Sequence, residues 1–296
     1  MLKSYTFLMK ENQITKKITA KLIFGIIQKR KPQSHKGTYG HAIIVAGSLG
    51  KMGAAVLAAK ACLRSGVGLL TMYIPKCGYT ILQTAIPEAM VICDENETTI
   101  SATIGLENFN VVGIGCGIGT SPETTKVLKK IIKSVENPMV LDADAINIIA
   151  KNKLWMKWIP SESIFTPHAI EFERLVGKST SEESRKKMQI EFSKRHNVYV
   201  ILKGHNTYIS CPNGDTYVNT TGNAGMAKAG NGDALTGIVT ALLAQGYTPE
   251  QACIASVYLH GLAGDIAVKE IGELSLLPSD LINTIGKAFL KLSANK

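Results

Sequence analysis

The residues best placed to do chemistry are concentrated in Thr221–Gly237, Thr-Gly-Asn-Ala-Gly-Met-Ala-Lys-Ala-Gly-Asn-Gly-Asp-Ala-Leu-Thr-Gly. Glycines let backbone N–H groups converge on an anion, and a helix N-terminus adds partial positive charge. A helix expected over Ala234–Gln245 starts at this loop, so phosphate oxygens could sit over the amides of Gly230, Asn231, Gly232 and Asp233. A carboxylate beside a phosphate site is repelled by its ligand, so Asp233 needs a reason to be there. General-base work supplies one, removing the proton of a hydroxyl as it attacks a phosphoryl group. Capping of the helix is the alternative. The glycines that precede it favour the catalytic reading.

Three further loops could share that ligand. Gly47-Ser48-Leu49-Gly50-Lys51-Met52-Gly53 lies between an expected strand and an Ala-rich helix. Its glycines do not fit G-x-G-x-x-G, and no acidic strand end follows to take a ribose, which argues against a Rossmann site. Gly113-x-Gly115-x-Gly117-x-Gly119 removes side chains where another molecule could lie, or where a strand end packs closely. Lys203-Gly204-His205-Asn206-Thr207 offers a point charge and donors for a phosphate, or is a surface turn. Thr166-Pro167-His168 aims a histidine at the same rim, though a lone histidine is more often structural. Asp142 and Asp144 could hold Mg²⁺ through water or orient loops. His260 and Asp265, in Leu-His-Gly-Leu-Ala-Gly-Asp, fall on an apolar helix, where packing is the safer reading.

The elements that must position these loops alternate. Strands are expected at His41–Ala46, Leu69–Ile74, Asn110–Ile114, Pro138–Asp142, Ser163–Thr166 and Val198–Lys203, with a hairpin of Thr207–Ser210 and Thr216–Val218. Helices are expected at Ala54–Arg64, from Pro122 to Ser134, Glu171–Val176, Ser181–His196, Ala234–Gln245 and Pro249–Val268, before a C-terminal segment Leu277–Leu292. Such alternation implies an α/β fold with a mostly parallel sheet covered on both faces. Ligands of such sheets bind beyond the C-terminal strand ends, which is where every unusual loop falls. The first 32 residues read as a basic leader with a helix over 12–31, and 33–296 as a single domain.

Composition narrows the class. The net charge of +10 resembles a nucleic-acid signal, but residues 1–36 hold nine Lys/Arg against Glu11 alone, leaving the remainder near neutral. Nucleic-acid binding is therefore not expected. Six scattered cysteines without a C-x-x-C pair read as thiols of a reducing cytosol, with no metal-ligand spacing. No stretch reads as the ~18 apolar residues of a membrane span, so the expected location is cytoplasmic.

Taken in order, Ser34–Gly40, Gly47–Ala55, Gly115–Gly119, Leu141–Asn147, Thr166–His168, Lys203–Thr207 and Gly222–Gly237 resemble the ADP/ATP-dependent NAD(P)H-hydrate dehydratase family of the ribokinase-like superfamily. The resemblance implies a three-layer α/β/α ribokinase-like fold. It also implies repair of (6S)-hydrated NADH or NADPH: phosphorylation of the 6-hydroxyl by ADP or ATP with Mg²⁺, then loss of phosphate. By position it places Ala54, Gly117, Gly119, His168 and Asp233 on the hydrated dinucleotide, with Asp233 as base. It places Lys203, Gly204, His205, Asn206, Thr207, Gly230, Asn231 and Gly232 on the adenosine nucleotide. A homotetramer is implied as well.

The chain departs from the family's Gly-Asn-Pro-Gly-Met-Ala-Thr-Gly-Gly-x-Gly-Asp at Ala224, Lys228, Ala229 and Asn231, while Ile170 and Cys116 replace a glycine and a proline. Ala229 is expected to be strained if its backbone is left-handed, and Lys228 to add a charge for phosphate. The competing readings are a ribokinase-like kinase of a small alcohol and a non-catalytic nucleotide-binding module.

Overall fold

The structure, a computed structural model, describes residues 15–293. Its organising pattern is period-two alternation without a polar side. In His41–Val45, Ala42 and Ile44 bury into one apolar core and Ile43 and Val45 into a second, on the opposite face. The strands are β1 (Lys16–Lys17), β2 (His41–Val45), β3 (Leu69–Ile74), β4 (Met90–Cys93), β5 (Val111–Ile114), β6 (Val140–Leu141), β7 (Ile164–Phe165), β8 (Tyr199–Leu202), β9 (Thr207–Ser210) and β10 (Thr216–Asn219). They form one sheet in the order β1-β10-β9-β8-β7-β6-β5-β2-β3-β4. All pairings are parallel except β8 with β9 and β9 with β10, the expected hairpin.

The helices are α1 (Ala20–Ile26), α2 (Met52–Arg64), α3 (Tyr79–Ala85), α4 (Pro122–Ser134), α5 (Ala143–Lys151), α6 (Ala169–Val176), α7 (Glu182–His196), α8 (Asn231–Ala244), α9 (Pro249–Ile271) and α10 (Pro278–Ser293). The first core is built with α1, α2, α8, α9 and α10, and the second with α4, α5, α6 and α7, giving three layers. The α4 N-terminus follows the sequence signals: Ser121 caps it by accepting from the Thr124 N–H, and Pro122 and Glu123 open the first turn.

Four expectations are corrected. The helix over 12–31 shrinks to Ala20–Ile26, because Thr19 caps it and Lys16–Lys17 pair in parallel with β10. Ile18 and Ile23 belong to the first core, so this part of the basic segment is built into the fold; residues 12–14 lie outside the described residues. α8 begins at Asn231 rather than Ala234, which puts Gly232 and Asp233 in its first turn. Finally, α9 is long and apolar enough by composition to cross a membrane, contrary to the expectation that no stretch is. It is a core helix: 72% of its most apolar window is buried. Its Ala, Gly and Cys residues suit close packing on α8 and α10.

Candidate active site

The chain leaves β2 toward β3 on one side and β5 toward β6 on the other, yet β2 and β5 are neighbours. That reversal opens a crevice at the C-terminal strand ends. Two of the glycine loops meet across it. The Gly47 N–H donates to the Cys116 carbonyl at 2.8 Å, and the Ser48 hydroxyl donates to the Gly117 carbonyl at 2.7 Å. Gly117 lies against Ala54, where an added Cβ would stand 3.1 Å from the alanine methyl. The structure therefore brings Ala54, Gly117 and Gly119 together on one rim.

Asp142, at the end of β6, anchors the floor. It is buried, accepts from Lys203 Nζ at 2.8 Å and accepts from the Thr236 hydroxyl at 2.7 Å. Thr236 is one helical turn beyond Asp233 on α8, so the same face of the helix carries both. Asp144 turns the other way, accepting the Gly119 N–H at 2.8 Å with Lys51 Nζ 3.8 Å from the same oxygen. Ala143 between them holds φ +45°, a conformation that non-glycine residues rarely adopt, and this strained link directs the two carboxylates to different loops. Gly115 is required at this point, because a Cβ there would stand 1.9 Å from the Asp142 carbonyl oxygen.

Asp233 faces this floor. Burial first, then the Asp142 charge, pushes its carboxyl up to about 6, with Lys203 and the Cys116 thiol opposing. The thiol stays protonated, because burial and the two carboxylates hold its own pKa far above the ordinary range. Cys116, Asp142 and Asp233 present their ligand atoms within 4.8 Å of one another. The set is poor for a magnesium cage, since a thiol is too soft and Asp142 already holds Lys203 and Thr236. It suits a magnesium ion that arrives with phosphates and keeps much of its water.

The Lys203 ammonium, read from sequence as a point charge for phosphate or part of a surface turn, lies beneath the first turn of α8, where a Cβ on Gly232 would be 3.2 Å away. Burial alone would lower its pKa, but the Asp142 and Glu171 charges outweigh that and raise it. Lys203, Gly204, His205 and Asn206 line a cleft of about 210 Å³ closed by Arg185 and Lys186 of α7, and Thr207 opens β9. His168 sits one strand away, bridged in parallel with Lys203. It caps α6 by accepting the Ile170 and Glu171 N–H groups at Nδ1, while Glu171 stands 3.3 Å from Nε2. Its ring is half-exposed at the rim.

The glycine loop answers two expectations. Ala229 does not occupy the left-handed region; Gly230 does, at φ +99°, where a Cβ would stand 2.6 Å from Leu57. Lys228 does not point at the anion site, since its Nζ donates to the Leu274 carbonyl at 2.7 Å. Sequence reasoning missed Cys116, taken as an ordinary buried thiol, and Thr236. The three-residue step from Asp233 to Thr236 was the available signal for the latter.

A family model described as NAD(P)H-hydrate dehydratase matches residues 42–287. The chain belongs to that family. The ADP-dependent (S)-NAD(P)H-hydrate dehydratase of Listeria monocytogenes is 35% identical, over 94% of this chain and 97% of that protein. The bifunctional NAD(P)H-hydrate repair enzyme of Thermofilum pendens is 37% identical over 89% of this chain. This chain matches 52% of that enzyme and spans about half the length of the bifunctional relatives it matches. The crystal structure of the ADP/ATP-dependent NAD(P)H-hydrate dehydratase of Bacillus subtilis, co-crystallised with ATP/Mg²⁺, superposes with a TM-score of 0.83 at 27% identity, covering 94% of this chain and 99% of that one. The ribokinase-like three-layer fold expected from the resemblance is the fold observed.

Proposed function

We propose that this family member dehydrates (6S)-hydrated NADH or NADPH with ADP or ATP as phosphoryl donor, a carbon–oxygen lyase reaction that repairs the nucleotide. The observation that carries the reading is the placement of Asp233. It lies in the first turn of α8, faces the crevice between β2 and β5, and has an acidity tuned to about 6. A carboxylate with that acidity is ionised at neutral pH yet basic enough to take a hydroxyl proton.

In this reading the dinucleotide lies along Ala54, Gly117 and Gly119 with His168 at its edge, bringing the ring 6-hydroxyl to Asp233. The donor lies over Gly230, Asn231 and Gly232, with its nucleoside toward Lys203, Gly204, His205, Asn206 and Thr207. Asp233 takes the hydroxyl proton as the oxygen attacks the terminal phosphoryl group, whose phosphoanhydride bond breaks to release AMP from ADP or ADP from ATP. The α8 N-terminal amides stabilise charge on the transferred group. The C6–O bond then breaks with loss of a proton from C5, restoring the ring double bond and releasing phosphate. Magnesium, bound with the donor phosphates, would neutralise their charge, and Asp233 is the carboxylate of the Cys116, Asp142 and Asp233 group that is not tied to Lys203. Lys203 keeps the Asp142 charge from driving the Asp233 pKa higher still.

Incubation of the purified protein with hydrated NADH and either donor is expected to restore the near-ultraviolet absorbance of the reduced nicotinamide. No recovery with ADP or with ATP overturns the reading. A cytoplasmic, homotetrameric protein belongs to the same proposal. The six free cysteines support the reducing compartment, and light scattering tests the assembly.

A further inference from the structure

The His260–Asp265 segment of α9 has no task in the reading above. Asp265 nevertheless reaches across to the loop that leads into α8. Its Oδ2 accepts the Gly222 N–H at 3.0 Å, and its Oδ1 accepts from Asn223 Nδ2 at 3.1 Å. The Oδ1 of Asn223 in turn accepts the Gly225 N–H at 3.1 Å, so one carboxylate fixes a relay of three loop positions. The loop is also pressed onto the helix. A Cβ on Gly261 would stand 2.2 Å from Thr221 Oγ1, and one on Gly264 would stand 2.3 Å from the Met226 sulfur. At its other end, Asn231 Nδ2 donates to the Met226 and Lys228 carbonyls at 2.8 and 3.3 Å. Residues 222–230 are thus hung between Asp265 and the first turn of α8.

A carboxylate is an expensive anchor beside a site for phosphates, since it repels them. A neutral side chain could accept from Gly222. The carboxylate adds charge-assisted bonds, about twice as strong as neutral ones. Those bonds act on a loop with three glycines, one of them Gly222 at φ +109°, whose freedom would otherwise be lost only when a ligand binds.

We infer that Asp265 is a positioning residue for the phosphoryl donor: it orders residues 222–230 in advance, so that the α8 N-terminal amides meet the phosphates without a further entropic penalty. The inference rests on the reading of that helix end as the donor site.

The test is Asp265→Ala, with donor affinity measured by calorimetry in the absence of the dinucleotide and with KM and kcat measured separately. The Kd for the preferred donor, ADP or ATP, and its KM are expected to rise about tenfold or more. The kcat at saturating donor and the KM for the hydrated dinucleotide are expected to stay within about twofold. Asp265→Asn keeps an acceptor for Gly222 and is expected to fall between. Combining Asp265→Asn with Asn223→Asp keeps one carboxylate facing one amide with their sides reversed, and is expected to recover part of the loss.

These two variants carry the test if the alanine variant fails to fold. Unchanged donor affinity in a folded Asp265→Ala protein overturns the inference alone. Equal losses for both substrates, or no recovery in the exchanged pair, do the same. Absence of ADP and ATP binding by the unaltered protein overturns the functional reading and this inference with it.

Discussion

If Asp233 is the base, turnover must follow its ionisation. Its carboxyl is pushed from an ordinary 3.8 up to about 6 by burial and by the neighbouring Asp142 charge. With a pKa of about 6, about nine-tenths of the protein carries the active carboxylate at pH 7 and about one-tenth at pH 5. The value of kcat/KM is therefore expected to fall about tenfold between those two pH values, whereas an unperturbed carboxylate would leave the rate nearly flat over the same range. The donor's own phosphate titrates near pH ~6 and would produce a similar limb. Asp142→Asn separates the two. It removes the second cause of the shift and frees the Lys203 charge to act on Asp233, and both changes lower the Asp233 pKa. The acid limb of the variant should move to lower pH, read from kcat/KM profiles in constant-ionic-strength buffers. A limb that stays in place belongs to the donor and refutes the assignment. So does a flat wild-type profile down to pH 5.

Lys203→Met is expected to move the same limb to higher pH, because Asp233 loses an opposing charge, and to destabilise the fold by about 3 kcal/mol, because Asp142 is left buried and unpaired; pH–rate profiles and urea denaturation check the two parts. Gly230→Ala is expected to cost about 1–3 kcal/mol through its left-handed backbone and the contact with Leu57, and to weaken donor binding. Ala229→Gly should leave donor affinity unchanged, and calorimetry on both proteins decides between them. Asp94 supplies a prediction about stability alone. Burial would raise its carboxyl, but donors from Asn96, Ser101 and Ala102 outweigh that and bring it to about 2. A depressed carboxyl contributes stability above its ordinary value of 3.8 and loses it as pH falls from there toward about 2. Asp94→Ala should therefore cost about 3 kcal/mol at neutral pH, seen as a lower urea midpoint, with the difference shrinking in that acidic window.

Much of this protein was legible in its sequence because local physics decides it. Alternating buried strands and amphipathic helices announced the covered parallel sheet, and the Ser121-Pro122-Glu123 start of α4 appeared where the cap chemistry requires. The glycine loops marked the strand ends, and Asp233 stood out because a carboxylate among anion-binding amides needs a purpose. Small elements were less legible. β4 is four residues with no fully buried position to mark it, and α5 starts at Ala143 directly after β6 and Asp142, with no loop between to set it apart.

Contacts across the chain were decided only by tertiary structure. Asp142 finds Lys203 61 residues away and Thr236 94 residues away, because parallel strand order brings β6, β8 and α8 to one rim. Lys203 thereby becomes a partner for a carboxylate rather than a free charge for phosphate. Gly230 and not Ala229 takes the left-handed turn, and Leu57 and Pro278 from other helices leave no room there for a side chain. Asp265, read as packing, faces the loop because α9 lies along it. The residues that do the chemistry can be named from their types and spacing. Their acidities, partners and fixed positions follow from burial and long-range pairing, which no stretch of sequence contains by itself.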